Sequence, residues 1–288
     1  MRISIGHVSR YTYAEPVNYS IQTLRLTPPS FHGQRVIEWS ISAPGFETAR
    51  SYRDGFGNVC HLVSYAGVHE ESVVLAKGVV ETSDCAGLIQ GLQEAMPIAV
   101  YRRITDKTRA SEGIVEMANK ACPMPTIAGF HRLMNAVRDA VDYKIGATHE
   151  HTNAADAFAD GQGVCQDHAH VFIAAARALG VPARYVSGYF ISGQNEPAEA
   201  NHAWAEVWVG DLGWVGFDPA NRLCPTDHYV RLATGLDAVS AAPISGMRRG
   251  GGGNEVLDVI VEVQQQMTTQ QERASLPVVY RLCGKAGL

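Results

Sequence analysis

The chain has 288 residues, of which 46% are hydrophobic and 18% charged, and its formal net charge is −5. The hydrophobic share supports a real core and excludes a disordered chain, while the acidic balance provides no basic face for a nucleic acid. No apolar run approaches the ~18 residues of a membrane helix, and the polar N-terminal residues do not form a signal peptide. We therefore expect a soluble, cytoplasmic protein without a membrane partner.

The first hundred residues have the pattern of β-strands. Short runs rich in β-branched or alternating residues begin near Ile3, Ser20, Val36, Asn58 and Glu71. The stretch Asp54–Asn58, DGFGN, has the two glycines and the terminal Asn of a hairpin turn. Several short strands separated by turn residues predict an all-β, sandwich-like region.

Helical spacing replaces this pattern in the next part of the chain. Ser111–Ala121 predicts a short helix, and Phe130–Ile145 predicts a second from apolar residues three and four positions apart. Asn153, with Asp156 three residues later, predicts the N-cap of a third helix. A fourth helix is predicted to begin within a residue or two of Cys165 and to end at a Gly.

Beyond this fourth helix the period of the apolar residues changes to two. The runs RYVSGYFIS, HAWAEVWVG and GWVGFDPA predict three strands with short connections, and VLDVIVEVQ after a glycine run predicts one more. The fold class is thus α+β. Its predicted parts are an all-β domain over residues 1–100, a helix-and-sheet domain over 101–245, and an extension over 246–288 that packs on both.

One of the six cysteines has a special position. The six are scattered and form no CxxC pair, which argues against a disulfide framework and against the common zinc sites, so most are expected to be small core residues. Cys165 differs because a helix start lowers the pKa of a thiol through the helix dipole and the free N–H groups. A reactive thiolate also needs a basic partner, and a polar group that orients the partner.

His202 and Asp218 are the candidates for these two roles. His202 opens the strand HAWAEVWVG, 37 residues after Cys165, and Asp218 lies at the end of the next strand among aromatic residues. A carboxylate in such a setting is costly unless it has a partner. The order Cys, His, Asp on a helix and two following strands therefore predicts one site.

The hairpin between these strands has to meet a condition of parity. In an antiparallel pair, the numbers of any two facing residues have the same sum, and side chains alternate between the two faces. Because 202 and 218 are both even, His202 and Asp218 share a face only when that sum is even. We predict an odd-length loop or a bulge in VGDLGW, with Gly210 and Gly213 available for positive φ. The register that this predicts has Trp204 opposite Asp218.

Three separated segments resemble those of the transglutaminase-like superfamily. GVCQDHAHVFIAAARALGVPARYVSGY resembles its Cys segment, while NHAWAEVW and GWVGFDPA resemble its His and Asp segments. RYTYAEPVNYSIQTLRLTPPS and DGFGN are similar to the β-sandwich-like domain that precedes this module in a bacterial subgroup. The tail from Asp227 to VLDVIVEV is similar to that subgroup as well, so that the resemblance covers nearly the whole chain.

The resemblance implies a papain-like fold in which Cys165 is the nucleophile, His202 the general base and then acid, and Asp218 the orienting group. The family attacks amide carbonyls and forms a thioester, whose acyl group passes to water or to an amine. Gln166 stands where animal transglutaminases carry Trp, and the chain has no acidic calcium loop. Both features argue against a calcium-dependent crosslinking enzyme and leave the acceptor open. The resemblance to bacterial members described as cysteine proteases implies a protease or amidase that needs no cofactor and acts on a peptide, a protein or a small amide.

Other assignments stay open at this point. The backbone N–H of Cys165 is the first expected oxyanion donor, and the second is Gln162, Tyr189 or a main-chain group. An amine-accepting transglutaminase, a non-catalytic protein-binding module on the same scaffold, and a metal-dependent hydrolase using Cys165 and His168 are the alternative functions. His170 points away from His168 on a helix, which weakens a metal cluster. The oligomeric state is not predicted.

Overall fold

The computed structural model describes residues 1–191 and 201–266, together with the backbone of residues 279–284. The strands of the first sheet are β1 (Arg2–Thr27), β2 (Gln34–Ser42), β3 (Arg50–Arg53), β4 (Val59–Thr82), and, near the C-terminus, β12 (Ile244–Gly250), β13 (Glu255–Gln265) and β14 (Val279–Gly284). The strands of the second sheet are β5 (Leu88–Ile89), β8 (Ala183–Phe190), β9 (Asn201–Val209), β10 (Gly213–Phe217) and β11 (Tyr229–Gly235). Two short strands, β6 (Asp142–Tyr143) and β7 (Gln162–Gly163), form a parallel pair.

The described part of the chain contains four α-helices, α1 (Glu112–Ala121), α2 (Ile127–Ala140), α3 (Ala154–Asp160) and α4 (Cys165–Ala178). The predictions for α1, α3 and α4 are confirmed, because the side chains of Ser111 and Asn153 cap the first two and α4 begins at Cys165. The prediction of a helix over Phe130–Ile145 is wrong at both ends. Thr126 caps α2 earlier, and Val141 takes an extended conformation that leads directly into β6.

The first sheet is built on two long strands. β1 has 26 residues and β4 has 24, and they pair antiparallel along most of their length. The first half of β1 also pairs with β13, while its second half pairs with β12. The sequence runs that predicted separate strands are thus halves of continuous strands, joined at register shifts between Thr12 and Val17. Apolar residues from both halves, such as Ile3 and Leu24, share one core.

The second sheet has the strand order β11–β8–β9–β10–β5, and α4 packs against its central strands. Small residues of β9, including Ala203 and Ala205, lie in one core with the apolar residues of α4. The predicted arrangement of a Cys-bearing helix on an antiparallel sheet, within an α+β fold, is confirmed. None of the helices in the described ranges is long and apolar enough to cross a membrane.

Side chains from the first sheet hold the second sheet at β11 and β8. The amide of Gln34 accepts from the backbone N–H of Arg231 at 2.7 Å and donates to its carbonyl at 2.8 Å, as a neighbouring strand would. His7 bonds the Tyr189 hydroxyl at 2.9 Å. The predicted strand near the C-terminus is confirmed as β13, whereas residues 267–278 and 285–288 of the predicted extension lie outside the described residues.

Candidate active site

Cys165 is the first residue of α4, and the preceding turn fixes where the helix begins. The Asp167 carboxylate accepts from the backbone N–H of Val164 at 2.9 Å and from the Thr148 hydroxyl at 2.6 Å. A Cβ on Gly163 would lie 2.7 Å from the Cβ of Asp167, so only glycine allows this close approach. Sequence reasoning missed Asp167, although an Asp two residues inside a helix start is a known capping position.

The hairpin between β9 and β10 has the predicted parity. Its loop is the three-residue turn Gly210–Leu212, and Val209 faces Gly213. Phe217 faces Ala205, which places Asp218 opposite Trp204 in the same register. Gly210 and Gly213 have φ values of 46° and 76°. An odd loop therefore brings His202 and Asp218 to one face, as predicted from the even-sum condition.

His202 and Asp218 form a short buried ion pair. The His202 Nε2 lies 2.6 Å from the Asp218 Oδ2, and both side chains are almost completely enclosed. Because Nε2 is taken by the carboxylate, Nδ1 is the ring nitrogen left for other partners. The Cys165 thiol hydrogen-bonds the His202 side chain, so the structure brings all three predicted residues together.

The charges of this cluster favour an imidazolium. Burial alone would lower the pKa of His202, but the charge and hydrogen bonds of Asp218 and Cys165 outweigh it and raise that pKa to about 10. Burial likewise opposes the Asp218 carboxylate, yet the His202 charge and the hydrogen bonds to Oδ2 hold the pKa of Asp218 below its usual range. An imidazolium next to Cys165 stabilises a thiolate, which is the reactive form of cysteine.

Two further side chains contact the Asp218 carboxylate, and sequence reasoning found neither. The Tyr229 hydroxyl donates to Oδ2 at 2.6 Å, and the Asn221 side-chain amide donates to the same oxygen at 2.8 Å. Asn221 lies in the turn after Asp218, so its spacing is a local signal that could have been used. Tyr229 lies on β11, and no sequence pattern links it to Asp218.

Aromatic rings enclose His202 on several sides. The ring centroids of Phe190, Tyr229 and Trp204 lie 5.3, 5.8 and 6.3 Å from the imidazole centroid. Trp204 and Tyr229 are buried, whereas Phe190 is partly exposed at the end of β8. Such an enclosure keeps water from the His202–Asp218 pair and strengthens its electrostatic attraction.

The candidates for the second oxyanion donor are separated by the structure. Tyr189 is not placed for this role, because its hydroxyl is bonded to His7 and its ring lies in the core of the first sheet. Gln162 is close to Cys165 along the chain, and its side-chain oxygen accepts from the Lys144 ammonium at 3.0 Å. Its role as a donor stays a prediction.

His168 and His170 follow Cys165 on α4, and neither is placed to bind a metal ion together with Cys165. Both ring nitrogens of His168 lie 2.8 Å from backbone carbonyl oxygens, those of Val164 and Val141. His170 accepts a hydrogen bond from the backbone N–H of Ala238 on a different side of the helix. Within residues 1–191 and 201–266, no group of three or more His, Cys, Asp or Glu side chains is placed to hold a metal ion.

Known proteins share both halves of this architecture. Residues 115–219 match the family described as the Transglutaminase-like superfamily, and residues 3–81 match the Bacterial transglutaminase-like N-terminal region. An uncharacterized protein of Mycobacterium leprae is 31% identical over 279 residues, covering 91% of this chain and 98% of that protein. A protein-glutamine gamma-glutamyltransferase of Pseudomonas aeruginosa is 32% identical over 105 residues, which cover 31% of this chain and 15% of that enzyme.

A solved structure has a similar fold over almost the whole chain. It is the crystal structure of a "putative cysteine protease" from Cytophaga hutchinsonii, which superposes with a TM-score of 0.72 at 22% identity. The superposition covers 97% of this chain and 94% of the Cytophaga chain. The two-sheet arrangement is therefore shared with a known protein.

Proposed function

Because the chain belongs to the transglutaminase-like superfamily, we propose that it performs cysteine-dependent acyl transfer at an amide bond with Cys165, His202 and Asp218, and that water is the acceptor. The observation that carries this proposal is the buried contact of the three side chains at the start of α4. Cysteine-dependent acyl transfer is the general chemistry of the superfamily, and hydrolysis is the specific reaction proposed here.

The first half of the reaction forms a thioester. The Cys165 thiolate attacks the amide carbonyl carbon, and the carbonyl electron pair moves to oxygen, where the backbone N–H of Cys165 is a donor. The His202 imidazolium gives its Nδ1 proton to the departing amine as the C–N bond breaks. The acyl group is then bound to sulfur, and His202 is neutral.

The second half releases the acyl group. Neutral His202 takes a proton from water, whose oxygen attacks the thioester carbonyl, and the C–S bond breaks to return the thiolate. Asp218 keeps Nε2–H of the imidazole in place through both halves and stays ionised. The carboxylic acid leaves, and His202 is again an imidazolium.

Hydrolysis and amine transfer differ only in the acceptor, and the relatives support both. The name of the Cytophaga protein supports a protease, and the likeness spans nearly the whole chain. The Pseudomonas enzyme is named a glutamine gamma-glutamyltransferase, which makes amine transfer the second candidate, but only a third of this chain matches it. Gln166 in place of Trp argues only against a calcium-dependent crosslinking enzyme. The substrate class and the cytoplasmic location stay predictions from the sequence.

A fluorogenic peptide-amide library, assayed with and without an added primary amine, tests the proposal. We expect release of the free acid in both conditions, and loss of turnover in Cys165→Ala, with Cys85→Ala as the control for removal of a thiol elsewhere. An amine adduct as the main product would support the transglutaminase instead. Full turnover by Cys165→Ala would refute the mechanism, and wild-type protein that neither turns over any amide nor reacts selectively at Cys165 would support a binding module.

A further inference from the structure

Three donors converge on a single oxygen of the Asp218 carboxylate. The Asp218 Oδ2 accepts from the His202 Nε2 at 2.6 Å, from the Tyr229 hydroxyl at 2.6 Å and from the Asn221 amide at 2.8 Å. Among the described residues, the other oxygen, Oδ1, accepts a longer bond of 3.3 Å from the backbone N–H of Asn221. The proposed triad accounts for one of the three donors to Oδ2, so the other two need an explanation.

A structural role for Tyr229 would require only that its buried hydroxyl finds an acceptor. The observed geometry is more specific, because the hydroxyl bonds the same oxygen that holds His202 and its bond is equally short. The Tyr229 ring also lies 4.6 Å from Phe190 and 5.8 Å from His202, which fixes the direction of its hydroxyl. Burial and the nearby carboxylate raise the pKa of Tyr229 well above its usual value, so the phenol keeps its proton and donates.

We propose that Tyr229 is a positioning residue, which with Asn221 holds the Asp218 carboxylate and keeps the shared proton on the imidazole of His202. This inference rests on the proposed use of His202 and Asp218 in acyl transfer. A donor dipole aimed at a carboxylate makes the carboxylate a weaker base. The proton between Oδ2 and Nε2 therefore stays on nitrogen, and Nδ1 stays available to Cys165.

Removal of the Tyr229 hydroxyl has a defined electrostatic sign. The hydrogen bond from the Tyr229 hydroxyl stabilises the Asp218 carboxylate most when His202 is neutral, because the charge of the carboxylate is then not compensated by an imidazolium. Tyr229→Phe therefore makes the imidazolium hold its proton to higher pH and give it less readily to a leaving amine. The titratable groups facing the pair are Cys165 and His168 on α4 and Tyr229 on β11. Phe190 and Trp204, from β8 and β9, are uncharged.

The experiment measures alkylation of Cys165 by iodoacetamide between pH 6 and pH 11, followed by mass spectrometry of the Cys165 peptide. Loss of the imidazolium proton removes the positive charge beside the thiolate, so we expect the alkylation rate to rise at the pKa of His202, and this rise is called the second step. We expect Tyr229→Phe to move the second step up by about one pH unit, the size of one charge-assisted hydrogen bond. The value of kcat/KM should fall about tenfold, because the imidazolium gives its proton less readily to the leaving amine. Tyr101→Phe, which changes a buried phenol that packs on Trp214, is the control.

A double variant separates positioning from packing. In an Asp218→Asn background the hydroxyl no longer stabilises a charge, so Tyr229→Phe should move the second step by less than about half a pH unit, whereas a packing role would lower activity equally in either background. Thermal unfolding checks that the variant is folded. If Tyr229→Phe does not fold, Asn221→Ala, at an exposed turn, should give the same upward shift.

The outcomes distinguish this inference from the proposed function. The inference alone would be overturned if the wild-type protein turns over amides and Tyr229→Phe keeps the wild-type second step. The same holds for Asn221→Ala if that variant is used instead. A shifted second step in a protein that hydrolyses no amide would uphold the positioning role and reject hydrolysis. A variant that unfolds at lower temperature with an unchanged second step would reduce Tyr229 to a packing role and overturn the inference.

Discussion

Replacement of Asp218 by asparagine removes one charge and leaves most of the contacts of the site in place. The Tyr229 hydroxyl and the Asn221 amide both donate toward the position of Oδ2. In Asp218→Asn these two donors should hold the amide oxygen, and not the amide nitrogen, against the His202 Nε2. The imidazole then keeps its tautomer, and the substitution tests the charge alone.

The size of the charge effect follows from the distance. The Nε2 and Oδ2 atoms are 2.6 Å apart, so the centres of the two delocalised charges are about 4 Å apart. At an effective dielectric constant of ~20 this attraction is ~4 kcal/mol, or ~3 pH units. Since the pKa of His202 is raised to about 10, its loss of a proton in Asp218→Asn should move to near pH ~7.

The alkylation profile of Cys165 measures this shift directly, and turnover measures its consequence. We expect the second step of the profile to move down by ~3 pH units, and kcat at pH 8 to fall by about 10²-fold. That loss is smaller than the ~10⁴-fold loss that follows when an amide imposes the wrong tautomer. Asp237→Asn, which changes a buried carboxylate bonded to Ser240, is the matched control. A second step that stays within half a pH unit of the wild-type value would refute the assignment of Asp218 as the charge that holds the imidazolium.

Three further substitutions test the supporting structure. Gly163→Ala places a Cβ 2.7 Å from the Cβ of Asp167 and should displace the start of α4. The rate of Cys165 alkylation should then fall at least tenfold. An unchanged rate would contradict the close approach of Gly163 to Asp167. His170→Gln removes a buried imidazole, and burial lowers the pKa of that imidazole to about 3. The unfolded chain binds the proton below pH ~6.5, so the wild type should lose ~1.4 kcal/mol more stability per pH unit than the variant as the pH falls from ~6.5 toward ~3. Urea unfolding at a series of pH values measures this difference. Parallel stability curves would contradict the buried neutral state. Arg177→Met removes the guanidinium that donates to three backbone carbonyls. The free energy of unfolding, measured with urea, should fall by about 3 kcal/mol or more. A loss below ~1 kcal/mol would show that water replaces those bonds.

The sequence was most informative where a feature depends on neighbours along the chain. The start of α4 at Cys165 follows from its apolar stripe and from the glycines before it, and the parity of the β9–β10 hairpin follows from counting residues between His202 and Asp218. Parity is decided by the period of a strand, so the argument holds without knowledge of the rest of the fold. The structure accordingly has His202 and Asp218 on one face of neighbouring strands, as the count of residues predicts.

Contacts between distant segments could not be predicted in this way. Tyr229 reaches Asp218 because β11 lies beside β8 at the edge of the second sheet, a pairing that no residue period encodes. Tyr189 was one of the candidates for the second oxyanion donor, but its hydroxyl is held by His7 of the first sheet. The first long strand, β1, was divided into separate runs near Ile3 and Ser20, because the Pro and the Asn within residues 14–18 interrupt the alternation and are accommodated by irregular pairing.

The first sheet has a defined connection to the site through β11. Gln34 occupies the place of a neighbouring strand and bonds both backbone groups of Arg231, two residues along β11 from Tyr229. β11 otherwise pairs only with β8 among the described strands, and this pairing contains a register shift between Arg231 and Ala233. An edge strand with an irregular register is a poor support for a hydroxyl that has to lie 2.6 Å from a carboxylate. The contact from the first sheet fixes that strand from its open side, so the β-rich half of the chain contributes to the geometry of Asp218 without touching it.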